Sequence, residues 1–260
     1  MSRLILMHPL RLVRREKWHR TITSIASTEG KPRKVSVSLD ESFDYFYHHK
    51  GFGPQIDSTP VPEPILEAYR GKLPDALLTY WRAMGWGGYG NGLLWLVDPR
   101  DYAEVLNAWI HATNFYGKDR YHVFARGAFG DLYVWGERTG PSLHINSPYP
   151  MIFPSDDSAD MARGEADLLL QTWLIVCEKD AFDMEDDNKK PLFERAVKLL
   201  GRPGPDEMFA FVPALVLGGP SRLDHLQKVN AVEHLMFLAQ VQPPRVMLDI
   251  VKEAKSRELM

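Results

Sequence analysis

Cysteine is all but missing from this chain: Cys177 is the single thiol in 260 residues. That excludes a disulfide framework and any cysteine-based zinc site. It also suits a reducing compartment, and the reading is cytoplasmic. Long hydrophobic runs are missing as well. Phe209–Leu217 is among the longest and is interrupted by Pro213, so nothing here suits a membrane span. Leu4–Met7 is too short for the apolar part of a signal peptide, and Arg11, Arg14 and Arg15 follow it. The sequence has no G-x-S-x-G elbow, Walker A loop, H-E-x-x-H helix or EF-hand loop. No catalytic residue, metal site or cofactor is therefore assigned.

What is present is an ordinary globular composition, 45% hydrophobic and 25% charged, long enough for one large or two modest domains. The net charge of −3 is unevenly spread. Residues 1–34 hold nine Lys/Arg against Glu16 and Glu29. Residues 156–187 hold eleven acids against Arg163 and Lys179. A basic leader can be a nucleic-acid arm. Lacking any sustained apolar period, residues 1–39 read instead as a poorly ordered leader, and no nucleic-acid partner is assigned.

Asp40–Lys50 reads as a first helix, and Gly51–Pro64 as loop or extended chain. Pro74 and Asp75 start a second helix that runs to about Met84. Leu93–Val97 suits a short buried strand. Asp98 reads as an N-cap with Pro99 at the first helical position. Tyr102, Val105, Leu106, Trp109 and Ile110 then form a helical stripe. From Tyr121 to Phe153 the period becomes two, predicting four antiparallel strands in a meander. Pro154–Asp160 is a polar joint, and beyond it the pattern is mainly helical. Arg222–Gln240 reads as one helix, and Pro243-Pro244 as the start of the last. The expected fold class is α+β, with N-terminal helices on an antiparallel meander in residues 40–154 and a mainly helical domain in residues 155–260.

The chemistry-bearing groups are few. Gly85-Trp86-Gly87-Gly88-Tyr89-Gly90 has the letters of a dinucleotide fingerprint, but a helix precedes it and a strand follows, the reverse of what a phosphate site needs. It reads as a tight connection, with Trp86 and Tyr89 as candidate contact aromatics. Asp44, His48 and His49 could begin a polar site, but two ligands from one helix do not make a metal centre. Asp224-His225 and Glu233-His234 read as surface or capping groups. Cys177 reads as a buried small hydrophobe. The carboxylates Asp156, Asp157, Asp160, Asp183, Glu185, Asp186 and Asp187 lie in polar segments. They make poor general acids but a good electrostatic lure for a basic protein.

With these residues in view, the block from about Phe43 to Phe153 resembles the GAD-like (GAD-related) domain. The resemblance rests on Tyr69-Arg70-Gly71-Lys72-Leu73-Pro74, Tyr80-Trp81, Gly92–Pro99 and Phe129–Gly136. The Leu-Pro helix, Gly-rich corner and Leu/Trp strand are also similar to SUKH immunity domains. The block from about Ala166 onward resembles the C-terminal domain found behind it in type VI secretion immunity proteins, through Asp206–Leu215, Gly218-Gly219 and Val232–Leu235. The resemblance implies a non-enzymatic immunity protein that binds a cognate secreted DNase toxin, here expected as a 1:1 complex that occludes the toxin's active site. It brings no contact set with it. Trp86 and Tyr89 as anchors, and the seven carboxylates as steering charges, are chosen on chemistry alone. The alternative is an enzyme or small-molecule binder using an interdomain cleft with Asp44, His48 and His49.

Overall fold

The computed structural model describes residues 39–248; the basic leader lies outside the described residues. A short helix α1 (Glu41–Asp44) continues as a π turn over Tyr45–His49, started by Asp40, whose carboxylate accepts hydrogen bonds from the Ser42 and Phe43 amides. Then come β1 (Ile56–Thr59), α2 (Glu63–Tyr69), α3 (Asp75–Met84), β2 (Trp86–Tyr89), β3 (Leu94–Leu96) and α4 (Ala103–Ile110). The meander follows as β4 (Tyr121–Gly127), β5 (Leu132–Gly136), β6 (Gly140–Asn146) and β7 (Met151–Pro154). Next are α5 (Ser158–Ala162), α6 (Ala166–Val176), α7 (Lys179–Phe182) and α8 (Phe193–Leu200). The described chain closes with β8 (Glu207–Phe211), β9 (Leu226–Asn230), α9 (Ala231–Val241) and β10 (Arg245–Val246).

The main sheet has eight strands in the order β1-β2-β3-β4-β5-β6-β7-β10. Every pairing is antiparallel except β10 on β7. Both faces are apolar, because alternate side chains point to opposite sides of a strand. Leu94, Leu96, Phe124 and Trp135 enter one core with α1, α2, α3, α6 and α8. Trp95, Val123, Val134, Leu143 and Ile145 enter the other with α4 and α9. Residues after Pro154 contribute to both covers. Trp173 of α6 lies edge-on to Phe124, with ring centroids 5.0 Å apart. On the opposite face the Trp109 indole N–H donates to the Leu235 carbonyl of α9 at 3.1 Å. β8 bridges the two, sending Phe209 and Phe211 into one core and Met208 and Ala210 into the other.

Four local readings change. The Gly-rich corner is strand β2, paired on both edges. Its glycines make room: a Cβ on Gly88 would sit 2.9 Å from the Trp95 ring, and Gly85 has φ 78° with the Thr59 carbonyl against it. Asp98 does not cap an α-helix. It accepts from the Arg100 amide at 3.0 Å and pairs with that guanidinium, so the chain winds through tight i→i+3 turns before α4 begins. The stripe expected on that helix is buried at all five positions. Residues 222–240 are not one helix. Leu226–Asn230 pairs with β8, and Asn230 then caps α9 by accepting from the Glu233 amide at 3.0 Å. The C-terminal part therefore carries a hairpin among its helices. After Pro243-Pro244 the chain forms β10 where a helix start was expected.

Because Trp173, Leu170 and Leu174 on one face and Leu235 and Leu238 on the other complete these cores, a chain ended at Pro154 would leave both faces of the sheet incompletely covered. Such a chain is expected to lack a cooperative urea transition and to bind hydrophobic dye, whereas the full chain unfolds cooperatively. A cooperative transition for residues 39–154 alone would contradict the shared core.

Candidate partner-binding surface

A cleft of about 420 Å³ opens where the N-terminal wall of the sheet faces the segment from α7 to α8. One side is built from the Gly51–Ile56 connection and the β2–β3 turn at Gly90, Asn91 and Leu93. The other carries Lys179, Asp180, Asp183, Glu185 and Glu194, with Met184 and Phe193 between them. Four carboxylates thus face one ammonium. The structure brings the Gly-rich corner and the acidic loop, far apart in sequence, to opposite sides of one opening.

The acidic loop is not slack. The Asp183 Oδ1 accepts from the amides of Met184 at 2.7 Å, Leu192 at 3.2 Å and Phe193 at 2.8 Å. It thereby ties down the first turn of α8. Burial raises the Asp183 carboxyl above the usual range, an effect these amides oppose. Asp186 is only 5% exposed. It accepts from the Asn188 and Lys190 amides at 2.8 and 3.0 Å and pairs with Arg195 at 2.7 Å. The backbone hydrogen bond from Lys190, then the Arg195 guanidinium, hold its carboxyl below the usual range.

These placements sort the sequence candidates. Glu185 and Asp187 are exposed on the loop, and Glu185 lines the cleft with Asp183. Asp186 is used internally and is not a lure. Asp156, Asp157 and Asp160 gather at α5 and do not line the cleft. Asp156 accepts from the Ser158 amide at 3.1 Å, Asp157 from the Ser155 hydroxyl at 3.2 Å, and Asp160 pairs with Arg163. The two aromatic anchors are corrected by their packing. Tyr89 is fully buried against Phe43 and Phe46, because β2 is an interior strand. Trp86 is half-buried, edge-on to Trp81 at 5.8 Å, with its indole N–H sealed from solvent. Tyr89 therefore offers no free aromatic face.

Asp44 and His48 stand 3.6 Å apart and exposed, while His49 stacks on Tyr45. None of the three lines the cleft. Among the described residues no three His, Cys, Asp or Glu side chains gather as a metal site would require. Cys177 is buried, and burial pushes its thiol well up, as suits an inert packing residue. Sequence reading missed Asp180 and Glu194 as cleft residues. Asp180 lies inside the acidic run and was within reach of that signal. Glu194 reads only as a first-turn helix acid.

The two inner carboxylates carry opposite linkage signs. Asp186, lowered in the folded state, contributes stability above the unfolded carboxylate range and loses it as the pH falls through its folded value. Asp183, raised in the folded state, is relieved of a desolvation cost as it protonates. Asp186→Asn is expected to lower the urea midpoint at pH 7, with the deficit shrinking below about pH 4. Asp183→Asn, which keeps an acceptor oxygen, is expected to leave the midpoint unchanged or higher. Urea titrations of both variants across that range check the signs, and equal losses at pH 7 would contradict them.

Comparison with known proteins places these features. Residues 42–149 match the GAD-like domain. Residues 169–242 match the C-terminal domain of the type VI secretion system (T6SS) immunity protein Tdi1. The crystal structure of Atu4351 from Agrobacterium tumefaciens is similar in fold, with a TM-score of 0.68 at 21% identity over 78% of this chain and 91% of that one. No curated protein matches the sequence. No helix among the described residues is long and apolar enough to cross a membrane. The chain carries a GAD-like domain followed by a domain of the T6SS immunity protein Tdi1 C-terminal family.

Proposed function

We propose that this protein is a cytoplasmic immunity protein that neutralises a secreted antibacterial DNase by binding it and covering its active site. The observation that carries the reading is the Tdi1 C-terminal match over residues 169–242, lying behind the GAD-like match. The geometry supports it in a second way. The matched C-terminal segment contributes the acidic wall of the cleft, and a DNase that accepts polyphosphate presents a basic mouth. Acids on a pre-ordered loop speed encounter with such a surface, and burial of about 800 Å² on each partner suffices for stable docking. The protein acts by stoichiometric occupancy and turns nothing over. The sequence-derived contact set narrows accordingly to Asp183, Glu185 and Asp187, with Asp156, Asp157 and Asp160 as outlying charge. The small-molecule reading loses its polar groups, since Asp44, His48 and His49 lie away from the cleft.

The test is inhibition in solution. The toxin encoded beside this gene is purified and mixed with increasing amounts of the full chain, and plasmid cleavage is followed. Cleavage is expected to fall linearly and to vanish at one equivalent. The two proteins should co-elute, with the on-rate falling as salt rises and the off-rate almost constant. Undiminished cleavage at a several-fold excess would contradict the proposal, as would turnover of DNA or another substrate by the chain alone.

A further inference from the structure

The cleft is more than an acidic patch, because its carboxylates stand around apolar walls. Ile56 and Leu93 lie on one side, Met184 and Phe193 on the other. Every hydrogen bond made to Asp183 from the described backbone goes to its Oδ1, which leaves Oδ2 without a donor among the described residues. The charge of Glu194 bears on the same carboxyl and raises the cost of ionising it. Asp180 and Glu194 are exposed and have no ion-pair partner among the described residues. Among the described residues the one ammonium lining the cleft, Lys179, reaches across from the acidic wall to Gly51. Like charges held together over apolar walls are relieved by a cation that enters with an aliphatic stem, which is the form of an arginine or lysine side chain. A metal ion fits less well, because the apolar walls leave it short of oxygen ligands.

We propose that this cleft receives a cationic segment of the toxin, with an arginine or lysine entering between Asp183 and Glu194 and packing along Met184 and Phe193. This rests on the immunity reading and names the surface through which it works. The competing occupant is the chain's own basic leader, residues 1–34, whose charge is also complementary.

The experiment measures binding of the full chain to a catalytically inactivated form of the toxin encoded beside its gene. The variants are the charge reversal Asp180→Lys/Glu194→Lys, the steric block Glu194→Trp, and Glu104→Lys on α4 at the opposite face of the sheet. All the substituted positions are exposed, so the core is untouched, and unchanged circular dichroism confirms the fold. The reversal is expected to weaken binding at least about a hundredfold. The block should weaken it at least about tenfold, and Glu104→Lys less than about threefold. If the wild type binds tightly and both cleft variants stay within about threefold of it, the cleft assignment is overturned while the immunity reading stands. Failure of the wild type to bind overturns both. Deletion of residues 2–34 is expected to leave affinity within about threefold. A tenfold gain on deletion would place the leader in the cleft and overturn the assignment to the toxin.

Discussion

The structure depends on one constraint: a sheet with two apolar faces must be covered on both. The helices before Pro154 do not finish that work. α6 closes one face through Leu170, Trp173 and Leu174, and α9 joins α4 on the other through Leu235 and Leu238. β8 passes between the two cores and donates its Phe209 amide to the Ala128 carbonyl at 2.8 Å. Arg126 shows how tightly the parts are joined. It is fully buried, and its guanidinium donates to the Tyr102 hydroxyl and to the carbonyls of Gly127 and Pro205. A buried cation answered by three neutral oxygens is costly to disturb. The segment matching the GAD-like domain and the segment matching the Tdi1 C-terminal domain are thus held as one packed body.

That packing explains how a loop rich in like charges keeps a fixed shape. Asp186 spends both oxygens, on backbone amides and on Arg195, and Asp183 spends its Oδ1 on three amides while its Oδ2 has no donor among the described residues. The turn between α7 and α8 is therefore ordered before any partner arrives. Preorganised charge loses less entropy on binding than charge on a mobile loop. The remaining acids, Asp180, Glu185, Asp187 and Glu194, point outward from this frame. The division of labour runs along a single stretch of chain: some carboxylates build the wall and others face what approaches it.

Much of this was legible in the sequence. The period-two run from Tyr121 to Phe153 became four strands in the expected order, and the stripe from Tyr102 to Ile110 is buried as its spacing required. The acidic run pointed at one wall of the cleft. The failures have physical causes. Leu226, Val229 and Val232 fit a helical period, but pairing with β8 holds the first two in a strand, and Asn230 with Glu233 three residues on marked the true helix start. Tyr89 looked like a contact residue because aromatics are enriched at recognition surfaces and this one sits in a Gly-rich corner. Gly88 makes room for the Trp95 ring and Gly87 for Gln55 and Ile56, so the local signal for a loop came from a tertiary need. The cleft itself could not be read at all, since Gly51–Ile56 and Asp180–Glu194 are distant in sequence and meet through tertiary contacts such as Phe52 edge-on to Phe182.

One packed body presents this cleft to a protein partner under the reading proposed above. Backbone amide hydrogen exchange, on the free protein and on its complex with the inactivated toxin, tests it most directly. New protection is expected in residues 51–56, 90–93 and 179–194, with α4 unchanged. Protection confined to α4 and α9, or none anywhere in a stable complex, would contradict it.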